Sequence, residues 1–267
     1  MPSIESSFRR RDQRIRRWLG VTLASGVLAA SGMPGMCSSV AMAESPIPIS
    51  SVAPISDLNA EAEALIAGLG KSLESEETYK KDAKVWKQGS SLLAVVSQAI
   101  VEHGEASPLK AAAPSLRTGA MQIARSKTLA EAQAGHKVIT AAVAGELAAD
   151  AKPEFEWAKL TKMHPSMEEM NTRAAAVRRS LKRLRKPEDE ARDATALALL
   201  AVATYADTHE VKNEADKPFW QDLAGNFQKE MTATATAMRS KDAEKAKAVF
   251  AEGMKRCEAC HEKFHNE

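Results

Sequence analysis

Cysteine is scarce in this chain, with three among 267 residues, and the first of them, Cys37, falls in an N-terminal segment of distinct composition. So few thiols give no disulfide framework, and stability has to come from an apolar core. Aromatic residues make up only 4%. No useful length of chain alternates apolar with polar residues, which argues against strands. Long apolar runs are missing too: the nearest, Trp18 to Ala30, is too short and too interrupted by glycine and proline to span a membrane. Charge of one sign is also lacking. A formal net charge of +2 excludes the basic excess of a nucleic-acid binder. No acid, base and nucleophile constellation is visible, so an enzymatic activity is not expected.

Residues 1–43 read as an export signal. Arg9, Arg10, Arg11, Arg14, Arg16 and Arg17 form a basic n-region, Trp18 to Ala30 an apolar h-region, and Ala41-Met42-Ala43 a small-x-small cleavage site before Glu44. This predicts a periplasmic protein cleaved after Ala43. The Arg16-Arg17 pair leaves both the Sec and the twin-arginine routes open, and the residues before Cys37 suit a lipoprotein signal poorly. The segment holds six arginines against Glu5 and Asp12, so the remainder carries 31 basic and 33 acidic residues, a formal charge of −2. Both cysteines left to the mature chain lie near its C-terminus.

What is present in abundance is alanine, glutamate, lysine and leucine, the composition of helices. The sequence therefore predicts an all-α fold. After a linker over 44–55, helices are expected near 57–73, 78–103, 108–126 and 128–148, then near 165–185, 188–209, 216–239 and 241–265. Two similarities suggest a duplication. Ser91-Leu92-Leu93-Ala94-Val95-Val96 resembles Ala198-Leu199-Leu200-Ala201-Val202-Ala203, and Arg125-Ser126-Lys127 resembles Arg239-Ser240-Lys241 in the same relative place. We expect a four-helix unit over 56–149, a hinge over 150–164 containing Lys152-Pro153, and a second unit over 165–267. A single long irregular bundle is the alternative.

The densest signal is Arg256-Cys257-Glu258-Ala259-Cys260-His261-Glu262-Lys263-Phe264. Cys-x-x-Cys-His is the attachment pattern of a c-type haem, in which two thiols add across vinyl groups and the adjacent imidazole binds iron. On a helix, positions 257, 260 and 261 emerge on one face, and Phe264 extends the stripe. A thioredoxin-like dithiol would follow a strand, and a zinc site would need more ligands than His265 adds. Carrying the Arg-Ser-Lys register forward sets Val143, Glu146 and Leu147 opposite Cys257, Cys260 and His261, so the first unit is expected to be haemless, with a structural or partner-binding role.

In the second unit, His164-Pro165-Ser166 opens a helix with proline in its first turn. Met163, Met167 and Met170 follow at helical spacing, either as core filler or as a source of thioether sulfur for the open face of an iron bound by His261. From Pro165 to Phe264 the chain resembles the class II c-type cytochromes, the cytochrome c-prime family. The resemblance rests on the C-terminal Cys-x-x-Cys-His-x-x-Phe, on Phe219-Trp220 with Phe227, and on Met167-Glu168-Glu169-Met170-Asn171. It implies an antiparallel four-helix bundle with one covalent haem c in the C-terminal unit, a soluble monohaem electron carrier with redox partner proteins, and His261 with Met167, then Met170, as iron ligands. A homodimer, or an intramolecular pseudo-dimer, is the expected assembly. A five-coordinate form binding nitric oxide or carbon monoxide is the runner-up, and a thiol-disulfide oxidoreductase the third reading. His103, His136, His164 and His209 read as solvated or loop histidines. Arg173, Arg178 and Arg179 read as solvated helix-face charge within possible reach of propionates, and Trp220 as a ring packed on porphyrin.

Overall fold

Straight-chain residues and alanine lose little freedom in a helix, and helix is what they form. The computed structural model describes residues 44–265; the expected export signal and its cleavage site lie outside them. The helices are α1 (Ile55–Ser72), α2 (Glu76–Lys81), α3 (Ala83–Glu102), α4 (Ala113–Arg125), α5 (Leu129–Val143), α6 (Met163–Ser180), α7 (Pro187–Ala206), α8 (Lys217–Arg239) and α9 (Ala243–Phe264), with no strand among the described residues. Short 3-10 turns cover Ile49–Ser51, Trp157–Lys159 and Glu214–Asp216. Their starts follow ordinary capping chemistry. Ser75 and Thr78 form a reciprocal capping box on α2, Thr128 caps α5, Asp242 caps α9, and proline occupies the first turn of α4, α7 and α8.

The helix expected over 78–103 is broken at Asp82, whose φ and ψ of −96° and 20° leave the helical region. Trp86 explains the break. Its indole donates to the Tyr79 carbonyl at 2.9 Å and stacks on the Tyr79 ring at 4.9 Å, so a carbonyl that would continue the helix is satisfied by a side chain that is itself buried. The helix expected from 108 begins only at Ala113, after a turn.

Successive helices pack on one another within each half: α1 on α3, α3 on α4 and α4 on α5, then α6 on α7, α7 on α8 and α8 on α9. α3 also packs on α6 and α7, and α1 touches α7. One hydrophobic core runs through both halves, including Leu58, Leu92, Leu116, Leu197, Met231 and Phe250. The leading parts of the two halves are alike, whereas α4 and α5, with 13 and 15 residues, are shorter than α8 and α9, with 23 and 22. The turn at 49–51 followed by α1 at 55–72 recurs as the turn at 157–159 followed by α6 at 163–180, and α3 and α7 each have 20 residues.

The segments expected as linker and hinge are tied down. Ile49, Val52 and Ala53 are buried. His103, expected as solvated, is only 1% exposed, and its Nε2 lies 3.1 Å from the Ala53 carbonyl. The closing residue of α3 needs that partner because the docked 44–55 segment shuts out water. Across the hinge, buried Arg117 donates to Gln98 and to the carbonyls of Lys152 and Pro153, with its guanidinium over the Phe155 ring at 4.7 Å. The Trp157 indole donates to Glu102 at 2.9 Å.

α4 and α5 cross at Gly119 and Gly135. A Cβ at Gly119 would lie 2.6 Å from the Gly135 carbonyl oxygen and 2.7 Å from Ile139 Cγ1. Alanine within a helix is ordinarily worth about 1 kcal/mol over glycine. Here the obstacle is backbone, which cannot rotate away, and overpacking of about 1–3 kcal/mol outweighs that gain. Gly119→Ala is therefore expected to lower the urea midpoint; an unchanged or raised midpoint would contradict so close a crossing.

Candidate functional site

The Cys-x-x-Cys-His run occupies the last turns of α9. Asp242 starts the helix by accepting from the Lys245 amide at 3.0 Å, and Phe250 anchors it in the core. At Gly253 a Cβ would meet Met231 Cε at 2.3 Å and the Phe227 ring at 3.5 Å. Glycine thus lets α9 press on α8 one turn before Cys257. Beyond this contact the helices line a cleft that is open to solvent and holds about 40 Å³ of free space, to which α6 contributes Met167 and Met170, α7 Thr204, α8 Phe227, and α9 Cys257, Cys260 and His261. Its walls are mostly apolar carbon and sulfur. The two thiols, the imidazole and two of the three methionines singled out by spacing therefore meet in one place.

Cys257 and Cys260 are half-buried free thiols, and His261 stands at the exposed rim. Burial, then repulsion from Cys260, pushes the Cys257 thiol up to about 12, with Arg178 opposing; burial alone pushes Cys260 up to about 11. Both sulfurs are consequently protonated near neutral pH. A dithiol built for exchange has the opposite property, a lowered thiol pKa. The thiols suit a reaction in which a cofactor is brought to them.

Other expected site residues fall elsewhere. Trp220 is buried with its indole donating to the Thr204 carbonyl at 2.8 Å, and it meets Phe264 edge-on at 5.1 Å. It braces α7, α8 and α9, while Phe227 forms the cleft wall. Phe219 is exposed beside Phe264. Arg178 and Arg179 are exposed, Arg178 lying over Phe250 at 5.7 Å. Arg173 corrects the expectation of solvated charge. It points away from the cleft into a buried cluster, donating to Glu61 at 2.5 Å, Glu169 at 2.6 Å and Asp193 at 3.0 Å.

Among the histidines, His164 is exposed and His136 partly buried, its pKa lowered by that burial. His209 pairs with Asp207 and Glu210, and the Asp207 hydrogen bond raises its pKa. Among the described residues no group of three or more His, Cys, Asp or Glu side chains is arranged to hold a metal ion.

In the first half α5 ends at Val143, and Gly145 follows with a φ of +93°. Of the positions matched to Cys257, Cys260 and His261, only Val143 is helical. Val143 and Leu147 are both exposed.

Sequence reasoning missed two features of the surroundings. Gly253 carried no signal beyond being a glycine inside a helix. Asp57 and Glu61 did: acids four apart on the buried face of α1 need buried cations, and each has one. Asp57 pairs with Arg239 and accepts from Thr195 at 2.7 Å, and Glu61 pairs with Arg173. No family model, no curated protein and no solved structure matches this chain.

Proposed function

We propose that the chain is an exported c-type cytochrome that carries one covalent haem c in its C-terminal half and acts in electron transfer. The observation that carries this reading is the meeting of both thiols of Cys-x-x-Cys-His with Met167 and Met170 in one apolar cleft. The donor set fits the group: two sulfurs on one face of α9, a neighbouring imidazole, and thioether sulfurs from a different helix across the cleft. Cys257 and Cys260 would hold the macrocycle as thioethers, His261 would supply a nitrogen ligand to its iron, and Met167, with Met170 next in preference, would supply sulfur. Phe227 and the alanine-rich inner face of α7 restrict water. Haem supplies the one-electron redox change when bound, and methionine-histidine ligation favours the reduced iron.

The same reading takes α6 to α9 as an antiparallel four-helix bundle and α1 with α3 to α5 as its haemless duplicate. The matching lengths of α1 and α6 and of α3 and α7, the recurrent leading 3-10 turn and the sequential packing in each half support this, while α4 and α5 are shorter than α8 and α9. α2 is then the departure, a turn inserted where Trp86 is drawn inward.

Intact-mass analysis of mature protein exported from a host with haem-attachment machinery tests the proposal. The expected mass is that of the polypeptide plus one haem, and bare polypeptide would sink it. The ferric spectrum then separates the two cytochrome readings. A sulfur-to-iron charge-transfer band that disappears in Met167→Ala supports the carrier. A high-spin spectrum indifferent to Met167→Ala and Met170→Ala supports the gas binder instead.

A further inference from the structure

α6 presents Met167 and Met170 to the cleft, yet its first turn has little of its own to hold it. No side chain caps it, and its first turn carries no acid. Of the two residues between those methionines, Glu168 is held directly from the first half of the chain, and Glu169 is linked to it through Arg173 of its own helix. Glu168 pairs with Lys84 of α3 at 3.3 Å. Glu169, two residues after Met167 and so on the far side of the helix, accepts from Arg173, which also donates to Glu61 of α1 and Asp193 of α7.

The Arg173 cluster is buried: its side chain is 16% exposed, Glu61 10% and Glu169 6%. Three of the guanidinium nitrogens are engaged by three carboxylates on three helices, a forked geometry that fixes direction as well as distance. Burial alone would lower the pKa of Arg173, but Glu61, Glu169 and Asp193 outweigh it and raise it. Glu61 is raised by burial, and Asp193 and Glu169 add to that rise while Arg173 opposes it. The two directions agree physically, since the one cation gains from three anions while each anion faces two others. A cluster that depends on a single cation holds α6 firmly only while all its members are in place.

We propose that the N-terminal helices brace α6 from behind: Glu61, through Arg173 and Glu169, positions the turn that offers methionine sulfur to the cleft, and so sets how firmly that sulfur binds iron. This rests on the cytochrome reading above. It gives the haemless half a task in the redox site, with Glu61 and Arg173 as positioning residues that touch no cofactor.

The test compares Glu61→Gln with Asp57→Asn in haem-loaded protein. Both variants remove a buried acid from the same face of α1, but the hydrogen bonds of Asp57 tie α1 to Thr195 of α7 and Arg239 of α8. Three quantities are measured: the ratio of sulfur-bound to sulfur-free ferric iron from the charge-transfer band, the reduction potential, and amide hydrogen exchange over residues 163–171. Glu61→Gln is expected to lower the bound ratio about 3- to 30-fold, the range for residues that couple to a site without touching it. It should also lower the potential and speed exchange in that turn, whereas Asp57→Asn leaves all three unchanged. Lys84→Met, which breaks the contact from α3 to Glu168 at a mostly exposed position, serves if Glu61→Gln does not fold. Equal effects from both acids, or none from Glu61→Gln, would overturn the brace. Absence of the band from wild-type protein would instead refute the underlying ligand assignment.

Discussion

Cys257→Ser/Cys260→Ser is expected to yield mature protein with the mass of bare polypeptide and no haem-stained band after denaturing electrophoresis, under conditions where the proposed function gives the wild-type chain the added mass of one haem and a stained band. The effect is complete because serine cannot supply a thioether, whatever the affinity of the cleft for free haem. Each single variant keeps one sulfur on the same face of α9 and is expected to retain a reduced amount of bound pigment. The fold should survive, since both positions are only half-buried and α9 is anchored further back by Phe250 and Gly253. Far-ultraviolet circular dichroism of the double variant should remain strongly helical. If the double variant still carried covalent pigment, the assignment of attachment to this motif would be wrong.

Arg173→Met should cause the largest loss of stability among single substitutions of charged residues. Removing one partner from a buried ion cluster leaves uncompensated charge, at a cost of about 3–5 kcal/mol. Three carboxylates are stranded here rather than one. Burial already raises Glu61 above its ordinary value with Arg173 in place, and losing the guanidinium that opposes the rise raises it further. A carboxyl raised on folding binds its proton more tightly in the native state than in the unfolded one. Its contribution is present below the unfolded pKa and is lost as pH rises through the folded value. The deficit of Arg173→Met relative to wild type should therefore grow from about pH 4 toward neutrality. Urea unfolding across that range checks both the size and the sign, and a deficit that grew toward acid would contradict the buried cluster.

The sequence made some of this legible, for identifiable reasons. Helix starts followed from composition and caps: α6 to α9 begin within two residues of expectation, because Pro165, Pro187, Pro218 and Asp242 act locally, whereas α6 stops at Ser180, five residues before its expected end. The break at Asp82 was not legible, because it answers to a contact between Trp86 and Tyr79 that no periodicity encodes. Cys257, Cys260 and His261 share a face because the helix spacing requires it, and the two methionines follow the same rule on α6. That these faces meet across one cleft depended on how four helices pack. His103 and Arg173 were misjudged for a common reason. Their burial comes from partners 50 and 112 positions away, Ala53 and Glu61, so nothing near either residue could signal it.

The early close of α5 bears on anyone wishing to engineer the attachment pattern into the first half of this molecule. Introducing Val143→Cys, Glu146→Cys and Leu147→His would copy the letters of the attachment pattern without its scaffold. The first thiol would sit on the final helical residue and the other two groups beyond the left-handed Gly145, so they would not share one side of a rod. A designer would have to replace that glycine, extend the rod by at least one turn, and widen the tight Gly119–Gly135 crossing before any macrocycle had somewhere to lie.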